Sequence, residues 1–332
     1  MQVRGALLSD KPAIIDLLKE SLGESTIPKS EKLWNWKHEQ SPFGKSFVLV
    51  AEEDQKIVGV RAFMRWDWQF GDRVFKAVRA VDTATHPEYQ GKGIFKKLTL
   101  QQIELCKLEG IDFVFNTPNE QSRPGYLKMG WIQLGKIPLK FKIVQPFFFS
   151  YAWYFSRTKQ EGHNEDPSPS QKWGNDVFDI LNKIVVQNSG ISTILSPEYI
   201  FWRYAANPLF RYNYFTDNTS FFVVTRIKNH SFSRELRIVE FCLLNAEVDH
   251  ARVSEEINKC IIKFCKLNNI NFISMAGQKY LAFKNLFSWM GILPVKSLGP
   301  LMTIRNVGMN DDFAKVADMH NWNCSLGDIE LF

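Results

Sequence analysis

The chain has 332 residues, of which 45% are apolar and 23% charged, a balance typical of a packed protein with one large or two ordinary domains. Its net charge of +6 fits an anionic small ligand, and no dense basic run indicates nucleic-acid binding. Five cysteines at poor metal spacings and a start without an apolar leader predict a cytoplasmic protein with reduced thiols and no metal, as a monomer or homodimer.

In chain order, the first half predicts a mixed sheet with helices between its strands. Strands are expected at residues 3–7, 47–52, 56–70, 74–85, 111–115, 132–134 and 139–143. A first helix begins at Ser9 or Asp10, carries Pro12 in its first turn and ends near Leu22. A second, amphipathic helix is expected at residues 94–108. The predicted fold class is α/β, with a mixed sheet of α+β character.

The turn between the strand at 74–85 and the helix at 94–108 contains two glycines. Its residues are Gln90, Gly91, Lys92, Gly93, Ile94 and Phe95. Glycines let a backbone approach a ligand closely, and the first amides of a helix attract an anion. The alternative is a tight turn that starts the helix and binds no ligand. The Walker spacing is absent, and Lys96 stands where a dinucleotide fingerprint has its third glycine.

A second polar segment follows the buried strand at 111–115. It carries Asn119, Ser122, Tyr126, Lys128, Gly130 and Trp131. Together with Gln90 and Gly93, and in the same order, this arrangement resembles the GNAT family of N-acyltransferases. The resemblance covers at least residues 1–144. Phe95 departs from the pattern, because the family usually has Gly or Ala there. Pro124-Gly125 interrupt the short helix that carries the tyrosine, so we expect that helix to start late, near Pro124.

The resemblance implies an enzyme that moves an acetyl or other acyl group from acetyl-CoA, or another acyl-CoA, to a primary amine of a small molecule. It implies that residues 90–95, with Asn119 and Ser122, bind the cofactor. An amide near Ala84 or Thr85 would polarise the thioester carbonyl. Two strands that diverge from each other, 81–85 and 113–116, would hold the pantetheine arm by backbone hydrogen bonds. Tyr126 would protonate the departing thiolate, the alternative being an aromatic side chain packed under its own helix.

The sequence indicates the general base less clearly than the cofactor loop. Asp82 lies on the strand before the glycine turn, on a face with small residues, and can relay a proton through water. The alternatives for Asp82 are a turn cap or a pair with Arg79. His86 is a second candidate base. The terminal carboxylate of the Glu330-Leu331-Phe332 ending offers a third, because some multi-domain relatives use theirs as the base.

The second half of the chain repeats parts of the first. Trp36, Cys106 and Met129 correspond to Trp202, Cys265 and Met290, at separations of 166, 159 and 161 residues. The second half has no glycine turn, and we expect it to be a degenerate GNAT-like domain that does not bind coenzyme A. The predicted domains are 1–145, a crossover and linker at 146–172, the degenerate domain at 173–308 and a tail at 309–332.

Several alternatives stay open. The aromatic stretch at 143–155 is too short to span a membrane, so no stable membrane insertion is expected. Tryptophans in the first half can stack an acceptor ring or pack in the core; they are Trp34, Trp36, Trp66 and Trp68. The rival functions are a non-catalytic acyl-CoA sensor and an aminoacyl- or peptidyl-type transferase on a duplicated fold.

Overall fold

Two mixed β-sheets, each packed against helices, organise the chain in its computed structural model. The structure describes residues 1–24, 27–145, 171–185, 190–231, 233–291, 299–310 and 312–329. Outside the described residues lie the aromatic stretch beyond residue 145, almost all of the predicted linker and the chain end, Glu330 to Phe332. The predicted class, a mixed α/β chain, is confirmed.

The elements of the first half follow in chain order. Its strands are β1 (Gln2–Gly5), β2 (Phe47–Glu53), β3 (Lys56–Phe70), β4 (Arg73–Thr85), β5 (Phe113–Asn116), β6 (Ile132–Lys136) and β7 (Leu139–Ile143). Its helices are α1 (Lys11–Leu22), α2 (Glu31–Trp34), α3 (Ile94–Leu108) and α4 (Arg123–Lys128). The predicted helix at 94–108 is confirmed at both ends, because Gly93 and Gly110 with their left-handed backbones mark its limits.

The second half begins its described elements at residue 175. Its strands are β8 (Ser192–Thr193), β9 (Asn213–Thr216), β10 (Phe221–Asn229), β11 (Arg234–Leu243), β12 (Phe272–Ala276) and β13 (Leu301–Asn306). Its helices are α5 (Asn175–Leu181), α6 (Pro197–Ile200), α7 (His250–Leu267), α8 (Lys279–Ala282), α9 (Phe313–Val316) and α10 (Leu326–Ile329). Across the described ranges, no helix has both the length and the apolar character needed to cross a membrane.

The chain divides into two compact units, and each includes a piece of the other half of the sequence. Unit 1 is Met1–Gly135 with Leu301–Trp322, and unit 2 is Lys136–Pro300 with Asn323–Phe332. The sheet of unit 1 runs in the order β1-β2-β3-β4-β5-β13-β6. The sheet of unit 2 runs in the order β7-β12-β11-β10-β9.

The expectation that residues 139–143 finish the first sheet is wrong. Strand β7 pairs antiparallel with β12 in unit 2, and its place in unit 1 is taken by β13, antiparallel to β5. The buried Thr303 hydroxyl of β13 donates to the side-chain oxygen of Asn116 on β5. Strand propensity does not indicate which sheet a strand joins. Because β7 and β13 exchange sheets, the limits of the two compact units differ from the predicted domain boundaries at 145, 173 and 308.

A gap opens in the sheet of unit 1 where β4 leaves β5. The two strands pair in parallel only from Ala77 to Arg79, opposite Phe113 to Phe115. The register between β3 and β4 shifts between Arg61 and Phe63, which is the signature of a β-bulge, and a bulge bends its strand. Residues 80–85 therefore continue beside β3 without a partner strand from β5. The predicted divergence of these two strands is confirmed.

Helix α3 lies close to the sheet at its N-terminal end. A Cβ added to Gly59 of β3 would come within 2.6 Å of Ile94 and 3.1 Å of Leu98, so only glycine allows this approach. Ile94 and Leu98 are buried there with Val58 and Leu49. The packing fixes the start of α3, and with it the glycine turn, against the end of β4.

The tryptophans of the first half are core residues. Their relative exposure is 7% for Trp34, 1% for Trp36 and zero for Trp66 and Trp68. Trp66 and Trp68 meet Phe115 edge to face, with ring centroids 6.2 and 5.3 Å apart. The alternative that they pack in the core is thus confirmed, and they present no ring face to an acceptor.

Unit 2 repeats local features of unit 1. Each unit has a π-helical turn at the predicted sequence repeat, Asn35–Glu39 in one and Phe201–Ala205 in the other. The β10–β11 pair shifts register after Val224, as β3–β4 does after Arg61. Strand β11 then leaves β12 after Ile238. These shared irregularities support a duplicated domain, since a regular sheet would need none of them.

Residues near the C-terminus bridge the gap in unit 2. The amide of Lys279, beyond β12, donates to the carbonyl of Cys324 at 3.2 Å. On the other side, the Ser325 hydroxyl donates to Glu240 of β11 at 2.9 Å, and Lys279 Nζ pairs with the same carboxylate at 2.6 Å. Gly277 has a φ of +120°, and a Cβ there would lie 2.1 Å from the Cys324 carbonyl oxygen.

We expect Gly277→Ala to lower the free energy of unfolding by about 3 kcal/mol, because both the backbone angle and the contact exclude a side chain. Gly291 is a matched control in the same unit, with a φ of +73° and no atom closer than 3.9 Å to an added Cβ. Gly291→Ala should cost only about 1 kcal/mol. Urea unfolding measures both values, and equal losses would contradict this account of the C-terminal contact.

Candidate active site

The predicted ligand loop follows β4 and leads into α3. His86 caps a short 3-10 turn, Pro87–Tyr89, and Gly91 and Gly93 then each adopt a φ of +77°. A Cβ built on either glycine meets nothing within 4 Å. The surrounding space is therefore open, and it is the left-handed backbone that calls for glycine at both positions.

The N-terminus of α3 has no side-chain cap. Gly93 holds the N-cap position, and the first bond of the helix runs from the Lys97 amide to its carbonyl at 3.0 Å. The amides of residues 94–96 consequently have no acceptor inside the helix. The helix dipole adds partial positive charge at the same end. An uncapped helix start beside open space is the arrangement that binds phosphate groups.

The polar residues predicted to surround the cofactor have local partners. Gln90 Nε2 donates to the Thr85 carbonyl at 3.4 Å, which folds the loop back onto β4. Ala84 and Thr85 pair with β3 on one side, and in the described part of the sheet no strand pairs with their other side. Asn119 Oδ1 accepts from the Ser122 amide at 2.9 Å and from its hydroxyl at 2.8 Å. These two residues thus form the turn before α4.

Phe95 and Gly125, the two departures from the family pattern, fit each other. A Cβ on Gly125 would lie 3.1 Å from Cε1 of the Phe95 ring. The ring meets Tyr126 edge to face, with centroids 5.6 Å apart. Phe95 therefore points under α4, and the missing side chain of Gly125 provides its space. The late start of the short helix is confirmed, since Arg123 and Pro124 form its first turn.

Tyr126 is 3% exposed, and its hydroxyl oxygen accepts a hydrogen bond from Arg61 Nη2 at 2.8 Å. Arg61 lies on β3 opposite Thr83 and is fully buried. Its Nε and Nη1 are buried without a hydrogen-bond partner. The guanidinium carbon lies 4.8, 5.6 and 5.4 Å from the ring centres of Phe63, Phe95 and Tyr126. Aromatic faces, which attract cations, surround this charge.

Asp82, the predicted base, belongs to a polar network with the π-helical turn. Lys37 Nζ lies 3.0 and 2.9 Å from its two carboxylate oxygens, and His38 Nε2 lies 2.8 Å from Oδ2. Burial raises the pKa of Asp82, but the Lys37 charge and the His38 hydrogen bond overcome that effect and hold it well below its ordinary value. Asp82 is therefore a carboxylate at neutral pH. Its pairing partner is Lys37, not Arg79.

His38 is 2% exposed, and burial lowers its pKa below the ordinary 6.5, although Asp82 opposes this shift. A neutral imidazole has one donor and one acceptor nitrogen. Because Asp82 can only accept, Nε2 donates to it, and Nδ1 accepts from the Ser46 hydroxyl at 2.9 Å. The ring also packs on Trp34, with centroids 4.1 Å apart. Both ring nitrogens of His38 thus have a hydrogen-bond partner and a defined role as donor or acceptor.

The other two candidates for the general base are not part of the Asp82 network. His86 is 4% exposed, and its Nε2 lies 2.7 Å from Lys56 Nζ and 3.2 Å from Glu20, so it holds the turn before the loop. The terminal carboxylate lies outside the described residues. Among the residues that the structure describes, no three His, Cys, Asp or Glu side chains gather in a metal-binding group.

Sequence reasoning missed Lys37, His38 and Arg61. Lys37 and His38 follow the repeated tryptophan, Trp36, and the repeat marks that segment without stating what it contacts. Arg61 interrupts a long apolar strand, Ile57 to Met64, which already indicated a buried cation. Its partner, Tyr126, is 65 residues away in sequence, so only the fold brings them together.

The lowered pKa of His38 predicts a pH-dependent stability. The unfolded chain takes up a proton on this ring below about pH 6.5, whereas the folded protein keeps it neutral, so folding weakens as pH falls. We expect His38→Gln to make the free energy of unfolding less dependent on pH, by up to about 1.4 kcal/mol per pH unit between roughly pH 6 and 5. Chemical unfolding at several pH values measures this slope.

Ser46→Ala is the matched control, because it removes a hydrogen bond to the ring but leaves the titrating group in place. Its unfolding free energy should be lower at every pH, with the wild-type slope. A His38→Gln slope equal to that of the wild type would show that His38 does not set the acid response.

Comparison with known proteins gives a family and a fold. The family model described as "Acetyltransferase (GNAT) domain" matches residues 2–133. No curated protein is significantly similar in sequence. A GCN5-related N-acetyltransferase from Anabaena variabilis ATCC 29413 superposes with a TM-score of 0.63 at 14% identity, over 92% of this chain and 73% of the other.

Two further solved structures agree. A conserved protein of unknown function from Enterococcus faecalis V583, described as a probable N-acyltransferase, has a TM-score of 0.63 and 14% identity, over 95% of this chain and 74% of the other. Eis1 from Mycobacterium abscessus has a TM-score of 0.55 and 11% identity, over 92% and 74%. Residues 2–133 are therefore similar to GNAT acetyltransferase domains, and the chain as a whole has the fold of GNAT N-acetyltransferases.

Proposed function

We propose that the protein transfers an acetyl or other acyl group from acyl-CoA to a primary amine of a small molecule by direct attack. The observation that carries the proposal is the uncapped start of α3 at the mouth of the gap between β4 and β5. A diphosphate fits the amides of residues 94–96, and an extended pantetheine arm fits the unpaired edge of β4.

In this proposal the chain's own groups act at the thioester. An amide near Ala84 or Thr85 polarises the carbonyl as the oxyanion develops. Tyr126 gives its hydroxyl proton to the departing thiolate. Asp82, ionised and partly exposed, attracts the amine and passes its proton on through water. Because the lowered pKa makes Asp82 a weak proton acceptor, its part in this proposal is to attract the amine and to order the water that takes the proton.

We propose that unit 2 does not bind coenzyme A. The helix that corresponds to α3 is α7, and its N-terminus is capped by Asp249, whose carboxylate accepts from the amides of Ala251 and Arg252 at 2.9 and 3.3 Å. A phosphate would have to displace this carboxylate. Cys324 and Ser325 also bridge the gap that an arm would enter.

The rival functions have less support. Phe95 and the Pro124-Gly125 pair are the best argument for a non-catalytic sensor, and the way Phe95 fits against Gly125 supports instead a site that accommodates both departures. An aminoacyl- or peptidyl-type transferase has no need of the uncapped α3. All five cysteines are free, which fits a reducing compartment, and we propose a cytoplasmic enzyme acting as a monomer or homodimer.

Calorimetry with acetyl-CoA tests the binding loop. Gly93→Asp places a carboxylate beside the amides that the diphosphate would contact, so we expect at least a tenfold loss of affinity. Gly71→Asp is the matched control, since Gly71 also has a positive φ, +58°, with nothing within 4 Å, in the turn between β3 and β4. Its affinity should equal that of the wild type. No binding to the wild type at millimolar acetyl-CoA would remove the proposed function.

Release of free thiol from acetyl-CoA, with a panel of small primary amines, tests the acid. Tyr126→Phe keeps the ring that packs between Phe95 and Trp131 and removes only the hydroxyl. We expect kcat to fall by roughly 10²-fold while KM for acetyl-CoA stays within a few-fold, because the proton is needed only as the thiolate leaves. Full activity of this variant would assign the acid role elsewhere.

A further inference from the structure

The hydrogen bond between Arg61 and Tyr126 engages the hydroxyl oxygen of Tyr126 but not the hydroxyl proton. Arg61 has no lone pair and can only donate, so the Tyr126 oxygen accepts at 2.8 Å. The hydroxyl proton must then point elsewhere. Among the described residues no acceptor lies within hydrogen-bond distance of it, although Tyr126 is only 3% exposed. A buried hydroxyl with an unused proton is costly unless a ligand receives that proton.

Arg61 is also an unusual buried cation. It has no carboxylate partner in the described structure, and its Nε and Nη1 make no hydrogen bond. Ion pairing therefore does not explain its burial, which costs free energy without one. The rings of Phe63, Phe95 and Tyr126 surround the guanidinium and offset part of that cost. Within the described ranges, its single hydrogen bond to a side chain is the one to the Tyr126 hydroxyl.

We propose that Arg61 is a positioning residue for Tyr126. This inference rests on the proposed function. By occupying one lone pair of the hydroxyl oxygen, Arg61 directs the O–H bond toward the sulfur. As the C–N bond forms and the C–S bond breaks, the proton moves from Tyr126 to the thiolate, and the Arg61 charge stabilises the phenolate that is left. Solvent returns the proton to Tyr126 before the next turnover, and the amine proton leaves by the route through Asp82.

The same contact gives Phe95 a role. In place of the small residue usual in the family, Phe95 supplies one wall of the aromatic enclosure around Arg61, and Gly125 leaves room for its ring. The enclosure removes water from the guanidinium, and a hydrogen bond from a cation is stronger when water is excluded. The two departures from the family pattern therefore act with Arg61, on one hydroxyl.

A double-mutant cycle tests the proposal, with wild type, Arg61→Met, Tyr126→Phe and the double variant. Thiol release from acetyl-CoA is followed with the best amine of the panel. We expect Arg61→Met to lower kcat by at least tenfold with little change in KM, and the double variant to be no slower than Tyr126→Phe. Losses that multiply, or an unchanged kcat in Arg61→Met beside an impaired Tyr126→Phe, would overturn the role of Arg61 and leave the proposed function standing.

A binding measurement tests the same role without any acceptor. The probes are coenzyme A and its desulfo analogue, titrated at about pH 9, where partial ionisation of the thiol makes its sulfur a better hydrogen-bond acceptor. Wild type should prefer coenzyme A several-fold, because the directed hydroxyl donates to sulfur, and Arg61→Met and Tyr126→Phe should both lose that preference. A preference that survives in Arg61→Met but not in Tyr126→Phe contradicts the inference. Equal binding of both probes by the wild type contradicts it as well.

Two controls separate positioning from folding. Arg203 in unit 2 is also buried, 1% exposed, so Arg203→Met reports the general cost of losing a buried arginine and should leave kcat unchanged. Arg61→Lys keeps the charge on a shorter donor and should recover part of the kcat lost in Arg61→Met. If Arg61→Met does not fold, the comparison of Arg61→Lys with Tyr126→Phe decides, because a purely structural Arg61 predicts full activity in any Lys variant that folds.

Discussion

The separation of β4 from β5 after Arg79 is the constraint on which the rest of unit 1 depends. Continuous pairing would leave no unpaired strand edge and no entry between the strands. The register shift against β3 bends β4 away, and the strand then ends where Gly59 lets α3 approach the sheet. The uncapped amides of α3 thus stand beside the gap because of local backbone geometry, and the site needs little from side chains to take shape.

Buried polar and charged side chains then hold two groups near the gap, the Asp82 carboxylate and the Tyr126 hydroxyl. Lys37 and His38 from the π-helical turn hold Asp82 ionised on the bent part of β4, and Arg61 from β3 holds the hydroxyl of Tyr126. Both arrangements bring a cation from outside the gap to a group near it. Removing one partner of such a pair leaves a buried group unsatisfied, which costs more than the pair contributes. Burial of this kind holds the two groups in place before any ligand binds.

The sequence allowed the fold class, the glycine turn, both ends of α3 and the late start of α4 to be predicted, because turns, caps and periodicity are local. It did not predict the exchange of β7 and β13, since strand propensity carries no information about the partner sheet. Nor did it predict the polar contacts of Asp82 and Tyr126, whose partners lie 45 and 65 residues away. Phe95 and Gly125 looked like separate defects, and only their distance in space makes them one feature.

The two units share a local backbone frame and use it differently. Both keep the π-helical turn, the register shift and the diverging strands, and in both a side chain of the turn reaches the carboxylate on the bent strand: His38 to Asp82, and Tyr204 to Glu240. The units differ in what binds the amides at the helix start and the carboxylate on the bent strand. In unit 2, Asp249 caps the helix and Ser325 binds Glu240, so the chain itself satisfies amides and carboxylate. In unit 1 the corresponding amides stay uncapped at the cost of stability, and a site that keeps this cost is expected to have a ligand.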